Sequence, residues 1–266
     1  MFKKLLVASA LLVSANVVNA DTVTVGGVTW DPNWVNGNDT ERDFIAKTDF
    51  TQWFSTSQDA AGTLGSFNTA IRIGDVLGAV DASDTDSGAS GYFLSGGGEI
   101  SRINDPNNDF CPSCELTFAF GGIGLDLDGS FNVGQDAWLQ VYVSDVNYDN
   151  SFDSFADVAA LTDGDTWLSG YFASAELTLN SSLANGTLTS IAVLTGGLAA
   201  DRFDPMQLAI AGNGIFGDVF GGVNADAKYT SGANGQVFGN TVPNPSSIAL
   251  FGLAIVGVAL AKRRKA

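Results

Sequence analysis

The chain has 266 residues, and its 12 Lys and Arg against 29 Asp and Glu give a formal net charge of −17. Six of the 12 cations and none of the acids lie in residues 1–20 and 242–266, so the middle carries six cations against 29 acids, a net charge of −23. A field this negative argues against nucleic acid or anionic lipid as a partner of the middle segment. Histidine is absent, which removes the usual general base and the commonest zinc ligand.

Residues 1–20 have the three parts of a secretory signal peptide. Lys3 and Lys4 form the positive n-region, residues 5–13 form the apolar h-region, and the segment ends in a small-residue cleavage site. The sequence therefore predicts export, with Asp21 as the first residue of the mature chain.

Two tryptophans near the start of the mature chain are candidates for stacking on a sugar. Trp30 and Trp34 flank a short polar segment and are the best placed of the five tryptophans to be exposed. Large aromatic residues are also typical of protein cores, so core packing is the alternative interpretation.

The middle of the chain predicts an all-β domain. Short stretches with period-two alternation, such as 115–120 and 138–144, are separated by turn formers, and Gly contributes 32 residues. Asn185-Gly186 indicates a hairpin between two further strands. We interpret this pattern as a single β-sandwich or jelly-roll-like ectodomain over 21–230, with a short helix at 43–54.

Cys111 and Cys114 are the only cysteines. A CxxC pair serves as a redox site, as half a zinc site or as a small structural disulfide. Here the motif runs directly into a predicted strand, so no helix N-terminus lowers the thiol pKa, and no further Cys or His completes a zinc site. Because the chain is predicted to be exported, we favour the structural disulfide, with the redox pair and the metal half-site as alternatives.

One acidic loop has oxygen-bearing side chains at alternate positions. They are Asp145, Asn147, Asp149, Ser151 and Asp153. Such spacing can wrap a calcium ion as the EF-hand loop does, although the turn Gly and the bidentate Glu of that loop are absent. The alternative is a loop rich in Asp and Asn that joins two strands. Calcium is the one cofactor that the sequence suggests.

The end of the chain has the composition of a membrane tail. Residues 231–241 hold three glycines and predict a flexible linker, which leads into the tail at 242–266. Within the tail, 248–261 is uncharged and predicts a short transmembrane helix. Four cations follow it and favour retention on the cytoplasmic side: Lys262, Arg263, Arg264 and Lys265.

The tail resembles a known sorting signal. It begins with Pro243, Asn244, Pro245, Ser246 and Ser247, continues with a short apolar segment that contains Gly, and ends in a basic cluster. This layout is similar to the PEP-CTERM signal of Gram-negative bacteria, with Asn244 where Glu is usual. The resemblance implies recognition by an exosortase in the inner membrane, followed by removal or exchange of the tail on the way to the cell surface. It also implies a source that makes exopolysaccharide.

Shorter motifs at 91–100, 111–118 and 195–199 are similar to secreted PEP-CTERM proteins of uncharacterised function, which bring no catalytic residues. We therefore expect a non-enzymatic exported protein of the cell surface or extracellular matrix, associated with exopolysaccharide. One alternative is a secreted carbohydrate-active enzyme that uses a pair of acidic residues. The other is a calcium-dependent carbohydrate-binding module.

Overall fold

The structure is a computed structural model that describes residues 22–34, 42–81, 88–105, 107, 109–145, 155–178, 181–217 and 223–242. The predicted signal peptide and nearly all of the predicted sorting tail, including its transmembrane segment, lie outside these residues. Within the described ranges, no helix has the length and apolar character needed to cross a membrane.

Strands account for most of the described chain, which confirms the predicted all-β class. The strands are β1 Val23–Val25, β2 Val28–Trp30, β3 Phe44–Ser55, β4 Ala89–Ile103, β5 Glu115–Asp126, β6 Phe131–Asn132, β7 Gly134–Ser144, β8 Asp165–Leu177, β9 Asn185–Gly196, β10 Gln207–Ile215 and β11 Ser231–Gly239. The helical elements are short: α1 Ile73–Ala79, α2 Phe155–Ala160 and 3₁₀ turns at Gly65–Thr69 and Ala200–Arg202.

Eight of these strands form a closed antiparallel barrel, so the predicted sandwich is wrong. Around the barrel the order is β4, β3, β11, β10, β9, β8, β7 and β5, and β5 pairs with β4 to close the ring. Alternating apolar residues show that one face of each strand is buried, and both architectures bury one face. Alternation does not encode whether a sheet packs on a second sheet or closes on itself.

The segment predicted as a short helix is strand β3. Inward-pointing Phe44, Phe50 and Phe54 alternate along it with the exposed outward residues Lys47 and Asp49. This period of two matches a pleated strand rather than the helical period of 3.6. Two neighbouring strands, β4 and β11, then satisfy its backbone hydrogen bonds.

The segment predicted as a flexible linker is strand β11. It pairs with β10 on one side and with β3 on the other, so the barrel is incomplete without it. A Cβ atom at Gly235 would lie only 2.8 Å from Thr48 Oγ1. The glycine at this position therefore permits close packing of β11 on β3 and does not indicate a flexible segment. The β-domain therefore extends beyond its predicted end at residue 230.

A smaller apolar cluster covers part of the outer wall. Trp53 of β3 and Trp138 of β7 lie beneath the Gly65–Thr69 turn and α2. Trp53 Nε1 donates to Ser66 Oγ at 2.8 Å, and Trp138 Nε1 donates to the Asp59 carbonyl at 3.0 Å. These buried indole hydrogen bonds hold the covering segment against the barrel.

Candidate functional site

The two cysteines lie at disulfide distance, as the predicted structural disulfide requires. Their Cα atoms are 5.0 Å apart, and the Cys114 amide donates to the Cys111 carbonyl at 3.2 Å, which forms a tight turn before β5. The Thr29 amide of β2 donates to the Phe110 carbonyl at 2.8 Å. The turn thus fixes the small β1–β2 hairpin at one end of the barrel.

Trp30 is buried, so its predicted role in stacking on a ligand is wrong. The residue is 1% exposed, and its Nε1 donates to Thr241 Oγ1 at 3.4 Å. Three aromatic rings surround it, with centroids 5.8, 5.7 and 6.3 Å from its own: Phe44, Trp167 and Phe203. The polar residues beside it in sequence belong to a turn at the surface, whereas β2 directs Trp30 into the core. Trp34 is half-buried, and its stacking role stays a prediction.

Only the first residue of the predicted calcium loop, Asp145, lies within the described chain. It borders an open depression that Asp163 and Asp165 also line. The described residues contain no group of three or more His, Cys, Asp or Glu arranged to hold a metal ion. The other four predicted ligands lie outside those residues, so calcium binding stays a prediction.

A polar groove of about 230 Å³ lies at one end of the barrel, where the pairings of β4 with β5 and of β7 with β8 become irregular. Gly122 has a φ of +72°, and a Cβ atom there would lie 2.0 Å from the Asp136 carbonyl oxygen. This close approach of β5 to β7 is open only to glycine. On the β4 side, Ser90 Oγ donates to the Leu125 carbonyl at 2.6 Å and holds the wall in place.

The groove combines aromatic rings with amides and carboxylates. Its side chains include Gln58, Tyr92, Phe93, Asp126, Asn132, Gln135 and Asp136. Amides and carboxylates hydrogen-bond to hydroxyl groups, and aromatic rings pack against apolar faces, so this combination suits a sugar. No sequence motif indicates the groove, because its residues come from four separate segments of the chain.

Aromatic residues pack together near both ends of the barrel interior. At one end Phe44 packs edge-on against Phe203, with ring centroids 5.1 Å apart. At the other end Phe54 stacks on Phe216, with centroids 5.7 Å apart. Because β3 carries both Phe44 and Phe54, the inward-pointing residues between them line the middle of the barrel. We call these two aromatic groups the end plugs.

A cavity of about 80 Å³ lies between the end plugs. Ala46, Thr48, Phe50 and Gln52 of β3 line it, and small residues face it from other strands: Ser190, Gly212 and Gly235. None of the described residues that line the cavity is charged. The interior of this acidic protein is thus neutral and mainly apolar.

No family model, curated protein or solved structure matches the chain. The geometry of the chain itself provides two candidate binding sites of different chemistry: the polar groove at the end of the barrel and the neutral cavity inside it.

Proposed function

We propose that this chain is a non-enzymatic, exported protein of the cell surface or extracellular matrix that associates with exopolysaccharide. The observation that carries the polysaccharide part is the groove, which is lined by the aromatic Tyr92 together with the exposed Gln135 and Asp136. The net charge of −17 favours solubility of the protein. This charge is also compatible with contact to neutral sugars.

The route of export belongs to the same proposal. The signal peptide at 1–20 directs the chain across the inner membrane, and the tail at 242–266 holds it there until an exosortase-type enzyme processes it. The chain then reaches the surface or the matrix. The pairing of Cys111 with Cys114 supports this route, because disulfides persist in oxidising compartments.

A sedimentation experiment tests the polysaccharide part. The full chain is mixed with exopolysaccharide from the producing organism, the polymer is pelleted, and the retained protein is measured. We expect retention without release of reducing sugar. Tyr92→Ala should weaken binding about twofold to tenfold and lower retention accordingly, because loss of one aromatic contact costs about 0.5–1.5 kcal/mol.

Tyr171→Ala is the matched control, because Tyr171 is half-buried on β8 and does not line the groove. Equal retention of the wild type and Tyr92→Ala would reject the groove as the contact surface. Release of reducing sugar that Asp126→Asn or Asp136→Asn abolishes would replace the proposal with a carbohydrate-active enzyme.

A further inference from the structure

We propose that the barrel interior binds a small, neutral, mainly apolar molecule that carries one hydroxyl or carbonyl group. The site is separate from the groove, so it adds a second binding activity to the proposed function. Three observations carry it: incomplete packing between the end plugs, two hydroxyl-bearing side chains in the lining, and the absence of charge from the lining.

The packing is complete at the ends of the barrel and incomplete in the middle. Phe44 and Phe54 are each 1% exposed. By contrast Leu188, Ile210 and Val237 line the cavity but are only half-buried. An eight-stranded barrel is just wide enough either to be filled by side chains or to hold one small ligand. Here the small residues at the middle level leave the interior unfilled.

Two nearly buried hydroxyl groups point into this space. Thr48 is 5% exposed and Ser190 is 7% exposed, and both line the cavity. A hydroxyl group both donates and accepts a hydrogen bond, so these two side chains favour a ligand with a complementary polar group. Gln52 adds an amide at the edge of the same cavity.

The lining also determines the charge and size of the ligand. An ion would lose its hydration without meeting an opposite charge, so the ligand is neutral. The cavity of about 80 Å³ has room for roughly five to eight water-sized groups. A cyclic alcohol such as cyclopentanol fits both limits, whereas a sugar polymer exceeds the size limit.

Methyl NMR of the full chain during a cyclopentanol titration tests the proposal. We expect saturable shift changes for the methyl groups of Leu188, Ile210 and Val237, with a dissociation constant on the order of millimolar for so small a ligand. Ile191 is the internal control, because it is 36% exposed on the other face of β9 and should not shift. Absence of a saturable shift at the lining methyls would overturn the proposal.

Two variants separate binding in the cavity from weak surface contact. Ala46→Leu fills the cavity and should weaken cyclopentanol binding at least tenfold. Thr48→Val keeps the shape but removes a hydroxyl, so cyclopentanol should bind about threefold to tenfold more weakly while xenon binding stays unchanged. Thr189→Val, at an exposed position of β9, is the control for the second change.

Unchanged cyclopentanol affinity in Thr48→Val would overturn the assigned role of the hydroxyl group, even if Ala46→Leu did not fold. These readouts do not involve the groove, so failure here and failure of polysaccharide retention are distinguishable.

Discussion

Asp43 shows how one carboxylate joins distant parts of the chain at the start of β3. Its Oδ1 accepts hydrogen bonds from the Thr241 amide at 2.7 Å and from Thr241 Oγ1 at 3.1 Å. Its carbonyl oxygen accepts from Asn104 Nδ2 at 2.8 Å. Burial raises the pKa of Asp43 above its usual 3.8, although the hydrogen bonds from Thr241 favour the charged form and oppose this effect.

The raised pKa predicts a pH dependence of stability. Just above pH 3.8 the folded chain binds more protons at Asp43 than the unfolded chain, so this group lowers the free energy of unfolding as pH rises through that range. Asp43→Asn removes the contribution. We therefore compare the two free energies of unfolding, variant minus wild type. This difference should rise with pH in the range just above pH 3.8 and become constant at higher pH.

Urea unfolding at a series of pH values measures this difference. Asp49→Asn, at an exposed position of the same strand, is the control for the change of carboxylate to amide. A difference for Asp43→Asn that is flat or falls with pH would contradict the argument.

At the scale of elements, closure of the barrel depends on glycines inside strands. Gly98 of β4 pairs with Phe50 of β3, and a Cβ atom at Gly98 would lie 2.0 Å from the Asp49 carbonyl oxygen. The obstacle is backbone, which cannot rotate away as a side chain could. Gly98 of β4 and Gly235 of β11 are thus packing residues within the barrel wall.

Two Gly→Ala substitutions should therefore have opposite effects. Gly98→Ala should lower the free energy of unfolding by about 3 kcal/mol or more, because β3 and β4 must separate to admit the methyl group. Gly78→Ala, in α1, should raise it by about 0.5–1 kcal/mol, because no atom lies within 4 Å of the added Cβ and alanine favours the helix. Denaturant unfolding measures both, and equal effects would refute the packing role of Gly98.

At the scale of the whole molecule, charge repulsion is the dominant electrostatic feature. The net charge is −17, and the ion pair between Arg72 and Asp226, 3.1 Å apart, has side chains that are 59% and 77% exposed. Exposed pairs of this kind contribute little to stability. Repulsion among the surface carboxylates is therefore balanced mainly by ions in solution.

This balance predicts that salt stabilises the chain. Raising NaCl from about 0.01 M to about 0.5 M should increase the melting temperature by a few degrees, since the Debye length falls several-fold. Differential scanning calorimetry measures the change, and an unchanged or lower melting temperature would contradict the argument. Calcium at matched ionic strength extends the test: a further increase that Asp145→Ala and Asp149→Ala abolish would support the predicted calcium loop.

Local patterns predicted several elements correctly. Residues 115–120 and 138–144 lie inside β5 and β7, where apolar alternation is regular. The predicted hairpin of β8 and β9 also forms. Asn185-Gly186 is not its turn, however: these two residues belong to β9 and pair with β10, and the turn lies before them in the chain. Pairing with a third strand therefore outweighed the turn preference of these two residues.

The polar groove and the central cavity could not be found from the sequence. The groove depends on the close approach of Gly122 to Asp136, and the cavity depends on small residues from β3, β9, β10 and β11 that share one level of the barrel. Both arise from the relative registers of strands that are far apart in the chain. No single segment carries a pattern for either.

The amino-acid sequence by itself determined the all-β class, the strong negative charge and the cysteine pair before β5, because each depends on composition or on neighbours a few residues apart. Only the tertiary structure decided that the sheet closes, that Trp30 is buried and that 231–239 is a barrel strand. Those outcomes depend on which distant strands meet and in what register. A residue's side chain is buried or exposed through such long-range contacts, which the local pattern of polar and apolar residues does not specify.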